Sequence, residues 1–325
     1  MPLYVIYEDI TKLKVDAIVN AANENLSPGG GVCGAIFQGA GSLLLKDCQA
    51  YGHCDTGKAA ITFAYKLKPT YVIHAVGPIW QGGGKGEEAL LRSAYQEAMT
   101  LASTHDCNSV AFPLISAGIY GYPQNEAFHV AVDSIGAYLQ TDREINVFLS
   151  NFEKKDLGLN PAEKDALKAY IDGSSFIGPA GPKASLDESR KALLKIIDGL
   201  YGSDLEKAAK KANLRLKDLK NILFEGSEDA EEDPAQREKS LAKGNVVQLL
   251  LSLEADPPTF LTHLEAFGHA LDYADLKDKI VSYFVQKGLF DVFHLNEAVH
   301  AFTRGFLTET DPALLVKTPP PKRVK

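Results

Sequence analysis

Through its first 150 residues the chain alternates apolar, β-rich runs with helical stretches, and then the strand signals stop. The runs are Leu3–Tyr7, Val15–Val19, Ala60–Ala64, Tyr71–Val76, Val110–Pro113 and Ile145–Leu149, with helical patterns near 32–51, 86–104 and 123–140 between them. Pro123 sits where a first helical turn tolerates it. Strands joined through helices predict a three-layer α/β/α sandwich around a mixed, mostly parallel sheet. A closing helix, Pro161 to Ile171, is expected to return to that sheet. Residues 173–185, GSSFIGPAGPKAS, have linker composition. Beyond them only helical periods recur, at 187–199, 204–212, 215–224, 236–253, 258–270, 274–287 and 295–303. The expected organisation is an α/β domain over 1–172, a linker over 173–186, an all-α domain over 187–310 and a disordered basic, Pro-rich tail over 311–325.

Composition narrows the function classes. A net charge of -8 offers no global attraction to nucleic acid or anionic lipid. No apolar run approaches a membrane span, and the first ten residues lack the plan of a signal peptide. The four cysteines (Cys33, Cys48, Cys54 and Cys107) form no CxxC pair, which fits free thiols in a reducing compartment. These features imply a soluble cytoplasmic protein with no membrane partner.

The chemistry concentrates in VDAIVNAANENLSPGGGVCGAIFQGAG, residues 15–41. A buried strand runs into Asn20 and Asn23, and Gly29, Gly30 and Gly31 then open a helix. Glycines admit close backbone approach, and a helix N-terminus offers unpaired N–H groups to anions. Amide side chains both donate and accept, so they suit ribose hydroxyls; the plainer role for Asn20 and Asn23 is to hold a turn. A second loop after a strand, Pro113–Gly121, carries Ser116, Gly118 and Tyr120. Loops past strand C-termini are where open α/β sheets bind ligands. Asp9, Ile10 and Thr11 follow the first strand; Asp9 suits an adenine amine, but a helix or turn cap is the plainer use of a lone Asp-x-Thr.

YEDITKLKVDAIVNAANENL, the GGGV loop, CDTGKAAIT (54–62), YVIHAVGPIW (71–80) and ISAGIYGYP (115–123) occur in the order and spacing of the macrodomain family, which this region resembles over residues 3–152. The resemblance implies recognition of ADP-ribose or ADP-ribosylated proteins. It places Asp9 on the adenine amine with Ile10 beside it. Asn20, Asn23, Gly29, Gly30, Gly31 and Val32 fall around the distal ribose, and Ser116, Ala117, Gly118, Ile119 and Tyr120 around the diphosphate. Phe152 falls where a family aromatic stacks on adenine. The resemblance is to the hydrolase class, which removes ADP-ribose from carboxylate or acetyl esters. That class carries an Asp where this chain has Cys33 and a His where it has Phe37; members with Ala at the first of these positions still cleave. Water could then be held by Asn23, the glycine-loop backbone and the substrate phosphate. Cys33 is either a nucleophile whose thiol pKa the helix start lowers, or a small buried apolar residue. No cofactor or metal is expected: Cys48, His53 and Cys54 lack a fourth ligand. His74, mid-strand, reads as a core histidine.

In the helical half, residues 204–224 resemble the helix-turn-helix of repressor-like domains, with Arg215, Lys217, Lys220 and Asn221 along a recognition helix. The acidic segment at 226–235 opposes contact with phosphates, and helical bundles also serve as protein-docking modules. Three functions follow: an ADP-ribosyl hydrolase, a non-catalytic ADP-ribose reader with a helical effector module, and a DNA-binding regulator that senses the nucleotide.

Overall fold

The computed structural model describes residues 3–6, 8–140, 145–150, 161–173, 182–224, 238 and 240–303. They fall into two compact units, one within Pro2–Leu157 and one within Gly158–Glu309.

The first unit is built on six strands: β1 (Leu3–Ile6), β2 (Ala17–Ala22), β3 (Ala59–Phe63), β4 (Tyr71–Val76), β5 (Ser109–Phe112) and β6 (Asn146–Ser150). Their order is β1-β6-β5-β2-β4-β3. Every pairing is parallel except that of β3 with β4, so the sheet is mixed and mostly parallel. Its central strands are nearly continuous buried apolar runs, as a sheet covered on both faces requires. Helices α1 (Gly31–Ala40), α2 (Ser42–Tyr51), α3 (Glu87–Thr104) and α4 (Gln124–Leu139) follow their strands. The single helical pattern at 32–51 is two helices. Gly41, at φ +83°, caps the first by donating to Phe37 O at 3.1 Å and redirects the chain into the second. At the sheet end remote from the loops, the buried Asp16 carboxylate accepts from Asn108 N, Ser109 N and Ser109 Oγ, tying the start of β2 to that of β5.

The second unit is all helical: α5 (Pro161–Asp172), α6 (Leu186–Tyr201), α7 (Leu205–Lys211), α8 (Leu216–Leu223), α9 (Lys243–Ser252), α10 (Pro257–Ala266), α11 (Leu276–Lys287) and α12 (Val292–Thr303). Local chemistry sets the ends. Ser185 and Glu188 form a capping box on α6, Asp204 and Asp256 cap α7 and α10, and Gly202 and Gly288 end α6 and α11 in the left-handed region.

Two expectations are corrected here. Helix α5 does not return to the sheet. Leu167 is fully buried in the helical core, and Tyr170 OH lies 2.7 Å from Ser282 Oγ on α11. The recognition-helix reading of α8 also fails for half its residues. Arg215 pairs with buried Asp218 (2.6 and 3.0 Å), and Asn221 Nδ2 donates to Ser240 Oγ at 3.0 Å. Ser240 Oγ in turn donates to Asp218 Oδ1 at 2.8 Å. Arg215 and Asn221 thus hold the helix in its own unit, and the repressor-like assignment loses their support. No helix among the described residues is long and apolar enough to cross a membrane.

Candidate ligand-binding site

Parallel strands bring the ends of β2, β4 and β5 to one edge of the sheet, and the loops that leave them touch. A Cβ built on Gly30 would lie 3.2 Å from Ile119 Cδ1, so the glycine loop and the second loop approach each other there. A Cβ on Gly77, the first residue past β4, would lie 2.2 Å from Ser116 Oγ and 2.5 Å from Ile115 Cγ2. Only glycine fits between those loops. Trp80 N donates to Tyr120 O at 2.9 Å, and the Trp80 and Tyr122 rings lie 4.4 Å apart. Tyr95 braces the same junction from below: Ile115 N donates to its hydroxyl at 3.0 Å, which itself donates to Pro113 O at 3.3 Å.

Ser116 stands out within this edge. Its φ is +65°, an uncommon region for a residue with a side chain, and its buried Oγ has no hydrogen-bond partner among the described residues. Strain of this kind costs about 1–3 kcal/mol and concentrates where a ligand is gripped. The loop also closes on itself, Gly121 N donating to Gly118 O and Tyr122 N to Ser116 O. Gly118 and Ile119 are left exposed at its tip.

Asn23 is fixed in a turn. Its Oδ1 accepts from Ser27 N and Ser27 Oγ, each at 3.1 Å, and its Nδ2 donates to Ser27 O at 2.8 Å. Both acceptor positions of the amide are then used, and one N–H remains for a ligand. Buried Leu26, at φ +50°, completes the turn by donating to Asn23 O. Glu24 comes next. Its Oε1 accepts from Thr56 N at 3.2 Å and Thr56 Oγ1 at 2.8 Å, and its carbonyl accepts from Cys54 N at 2.9 Å.

Asn20 is not on the pocket surface, contrary to its expected place around the ribose. It is fully buried beneath the glycine loop, in register with His74 on β4. Its Nδ2 donates to His74 Nδ1 at 3.1 Å, which places the ring proton on Nε2 for Thr62 Oγ1 at 3.0 Å. Burial pushes the His74 pKa down to about 4, so the ring is a neutral core group with both nitrogens engaged.

Cys33 lies in the first turn of α1, with Sγ 3.8 Å from Ser27 O. Its thiol pKa is raised: burial outweighs hydrogen bonds from the Gly29 backbone and the Asn20 side chain. Of the two alternatives for Cys33, this favours the small buried residue over the activated nucleophile, because desolvation of a thiolate costs more here than two donors return. Phe37 is buried, its ring 6.3 Å from that of His74. Asp9 caps the short 3-10 turn Ile10–Lys12, accepting from Thr11 N at 3.0 Å and Thr11 Oγ1 at 2.6 Å, and Ile10 is buried. Phe152 lies outside the described residues. Among those residues no three His, Cys, Asp or Glu side chains converge as a metal site.

Gly77, Ser27, Glu24 and Thr56 belong to this edge of the sheet and are positions that sequence reading passes over. Gly77 follows a buried strand and Glu24 follows Asn23 directly, but each reads as ordinary loop until the loops are seen to meet.

The α/β unit is similar to known proteins. The profile of the macro domain family matches residues 19–131. A macro domain-containing protein of Chlorobaculum tepidum is 49% identical over 156 residues, which is 48% of this chain and 91% of that protein. The O-acetyl-ADP-ribose deacetylase of Salmonella typhimurium is 50% identical over 141 residues, 42% of this chain and 79% of the enzyme. The Oceanobacillus iheyensis macrodomain with ADP is 38% identical, with 52% of this chain and 91% of that one covered and a TM-score of 0.45. Through its α/β unit, the chain belongs to the macro domain family.

Proposed function

We propose that the α/β unit binds ADP-ribose and hydrolyses ester-linked ADP-ribosyl substrates, O-acetyl-ADP-ribose or ADP-ribosylated carboxylates of proteins. The observation that carries the reading is the pair of loops meeting at Gly30 and Ile119, with Ser116 held strained and its buried Oγ unpartnered where a diphosphate would lie. Half-identity to an O-acetyl-ADP-ribose deacetylase supports the hydrolytic part. In this reading, backbone N–H groups of the Gly29–Gly31 loop and of 116–120 hold the diphosphate without a lysine. Asp9 and Ile10 receive the adenine. The spare N–H of Asn23 donates to a hydroxyl of the distal ribose. Positioning of substrate and water by such groups is worth several kcal/mol.

The test is calorimetric titration with ADP-ribose, followed by a turnover assay on the same sample. Binding is expected, with release of acetate from O-acetyl-ADP-ribose; Asn23→Ala should lower turnover about 100-fold, the scale of a lost positioning contact. No binding would overturn the assignment. The apolar Phe37 and the protonated Cys33 favour a second reading, a non-catalytic ADP-ribose reader. Tight binding without turnover at high enzyme concentration would select it.

A further inference from the structure

We propose that Glu24 is the general base of this hydrolysis, an inference that rests on the hydrolytic reading above. A candidate base at the glycine-loop end of the site must be exposed, held in place and have an oxygen to spare. The other ionisable groups near the loop fail one condition each. Cys33 is buried with a raised pKa, and His74 is buried with both ring nitrogens engaged. Asp9 holds Thr11 through Oδ1 and pairs with Lys12 through Oδ2 at 3.8 Å, and Asp55 pairs with His53 at 3.0 Å. Glu24 meets all three conditions. It is exposed and adjoins Asn23 in the chain. Thr56 fixes it through two hydrogen bonds to one oxygen, Oε1, and the Cys54–Glu24 backbone bond fixes its base. Among the described residues Oε2 has no hydrogen bond. Burial, and then the charges of Glu24 and Cys33, raise the pKa of the Tyr120 phenol on the second loop.

The step balances with water alone. Glu24 Oε2 takes a proton as the water oxygen bonds to the ester carbonyl carbon, whose π pair moves onto its oxygen. Collapse of that intermediate breaks the bond to the ribose oxygen, which receives the proton back from the Glu24 carboxyl. Acetic acid and ADP-ribose leave, the acid losing its remaining proton to solvent as acetate, and the Glu24 carboxylate is regenerated.

Glu24→Gln tests the proposal with little disturbance, because the amide oxygen can still accept from Thr56. On O-acetyl-ADP-ribose, kcat should fall about 100-fold or more, a common scale for general-base loss. The calorimetric Kd for ADP-ribose should stay within about threefold, since the lost group acts on water. The acid limb of the wild-type kcat profile should vanish from the residual activity. The ionisable groups around Glu24 are Cys54, Asp55, Tyr120, and Lys58 with its partner Glu97 at 2.7 Å, and the variant leaves all of them in place. In Glu24→Ala, added formate should restore turnover, which a merely structural role would not allow. Unchanged kcat and acid limb in Glu24→Gln would overturn the proposal and leave the hydrolase standing. Parallel loss of binding and turnover, without formate rescue, would overturn it in favour of loop bracing. Wild-type binding without turnover would overturn both readings before any variant is made.

Discussion

Gly34 and Gly39 lie five residues apart on one helix and meet opposite surroundings. A Cβ at Gly34 would lie 2.6 Å from Gly29 O, a backbone atom of the glycine loop. At Gly39 the neighbour is Leu67 Cδ2, the far end of a flexible side chain, also at 2.6 Å. Alanine favours a helix over glycine by about 1 kcal/mol at either place. Gly34→Ala should nonetheless weaken ADP-ribose binding by about tenfold or more, because displacing packed backbone costs roughly 1–3 kcal/mol. Gly39→Ala should leave the affinity unchanged; calorimetry on both variants checks the pair. The place of the glycines and Asn23 at the sheet edge was legible in the sequence, because they follow a buried strand and open a helix. The duties of Asn20 and Asp9 were not. Whether an amide faces a ligand or a histidine across the next strand depends on which strand is next, and only the pairing of β2 with β4 decides it. For Asp9 the cap is the plainer reading and the structure shows it, while the adenine role of the same carboxylate belongs to the proposed function.

Among the elements, strands were read within one to three residues because buried parallel strands are continuous apolar runs. Where a helix belongs was harder to read. The pattern of α5 has an apolar face, but an apolar face does not name its partner. Leu167 and Tyr170 find α11 instead of the sheet, with the Tyr170 and Tyr283 rings 5.2 Å apart. Leu167→Ala should therefore destabilise the helical unit by about 2–5 kcal/mol, the usual range for a fully buried leucine. Urea unfolding of the full chain, followed by helical circular dichroism, would show it, with ADP-ribose affinity unchanged. The same limit applies to α8. A basic residue in a helix-turn-helix pattern promises contact with phosphate only if nothing in its own unit pairs with it. For Arg215 the buried carboxylate of Asp218 does so. Its pKa is lowered although burial raises it, because the Arg215 hydrogen bonds and charge outweigh the desolvation.

At the scale of the whole molecule, the two units carry separate cores, and acid should reach the first through a defined route. His74 has an ordinary pKa of 6.5 and a folded value of about 4. The unfolded chain therefore binds the proton first as pH falls. Neutral His74 contributes its stability in full above pH 6.5, and that contribution is lost as pH falls toward 4. The loss should amount to about 3 kcal/mol, from 1.36 kcal/mol per pKa unit. Denaturant unfolding at a series of pH values should show this slope in the α/β unit. A His74→Gln variant, which can still accept from Asn20 and donate to Thr62, should flatten it. The molecule also carries its own means of observing such openings. All four cysteines are buried in the α/β unit, burial raises each thiol pKa, and the helical unit has none. A thiol-reactive dye added to the native, untagged protein would report the opening of one unit alone, residue by residue, while the other remains silent.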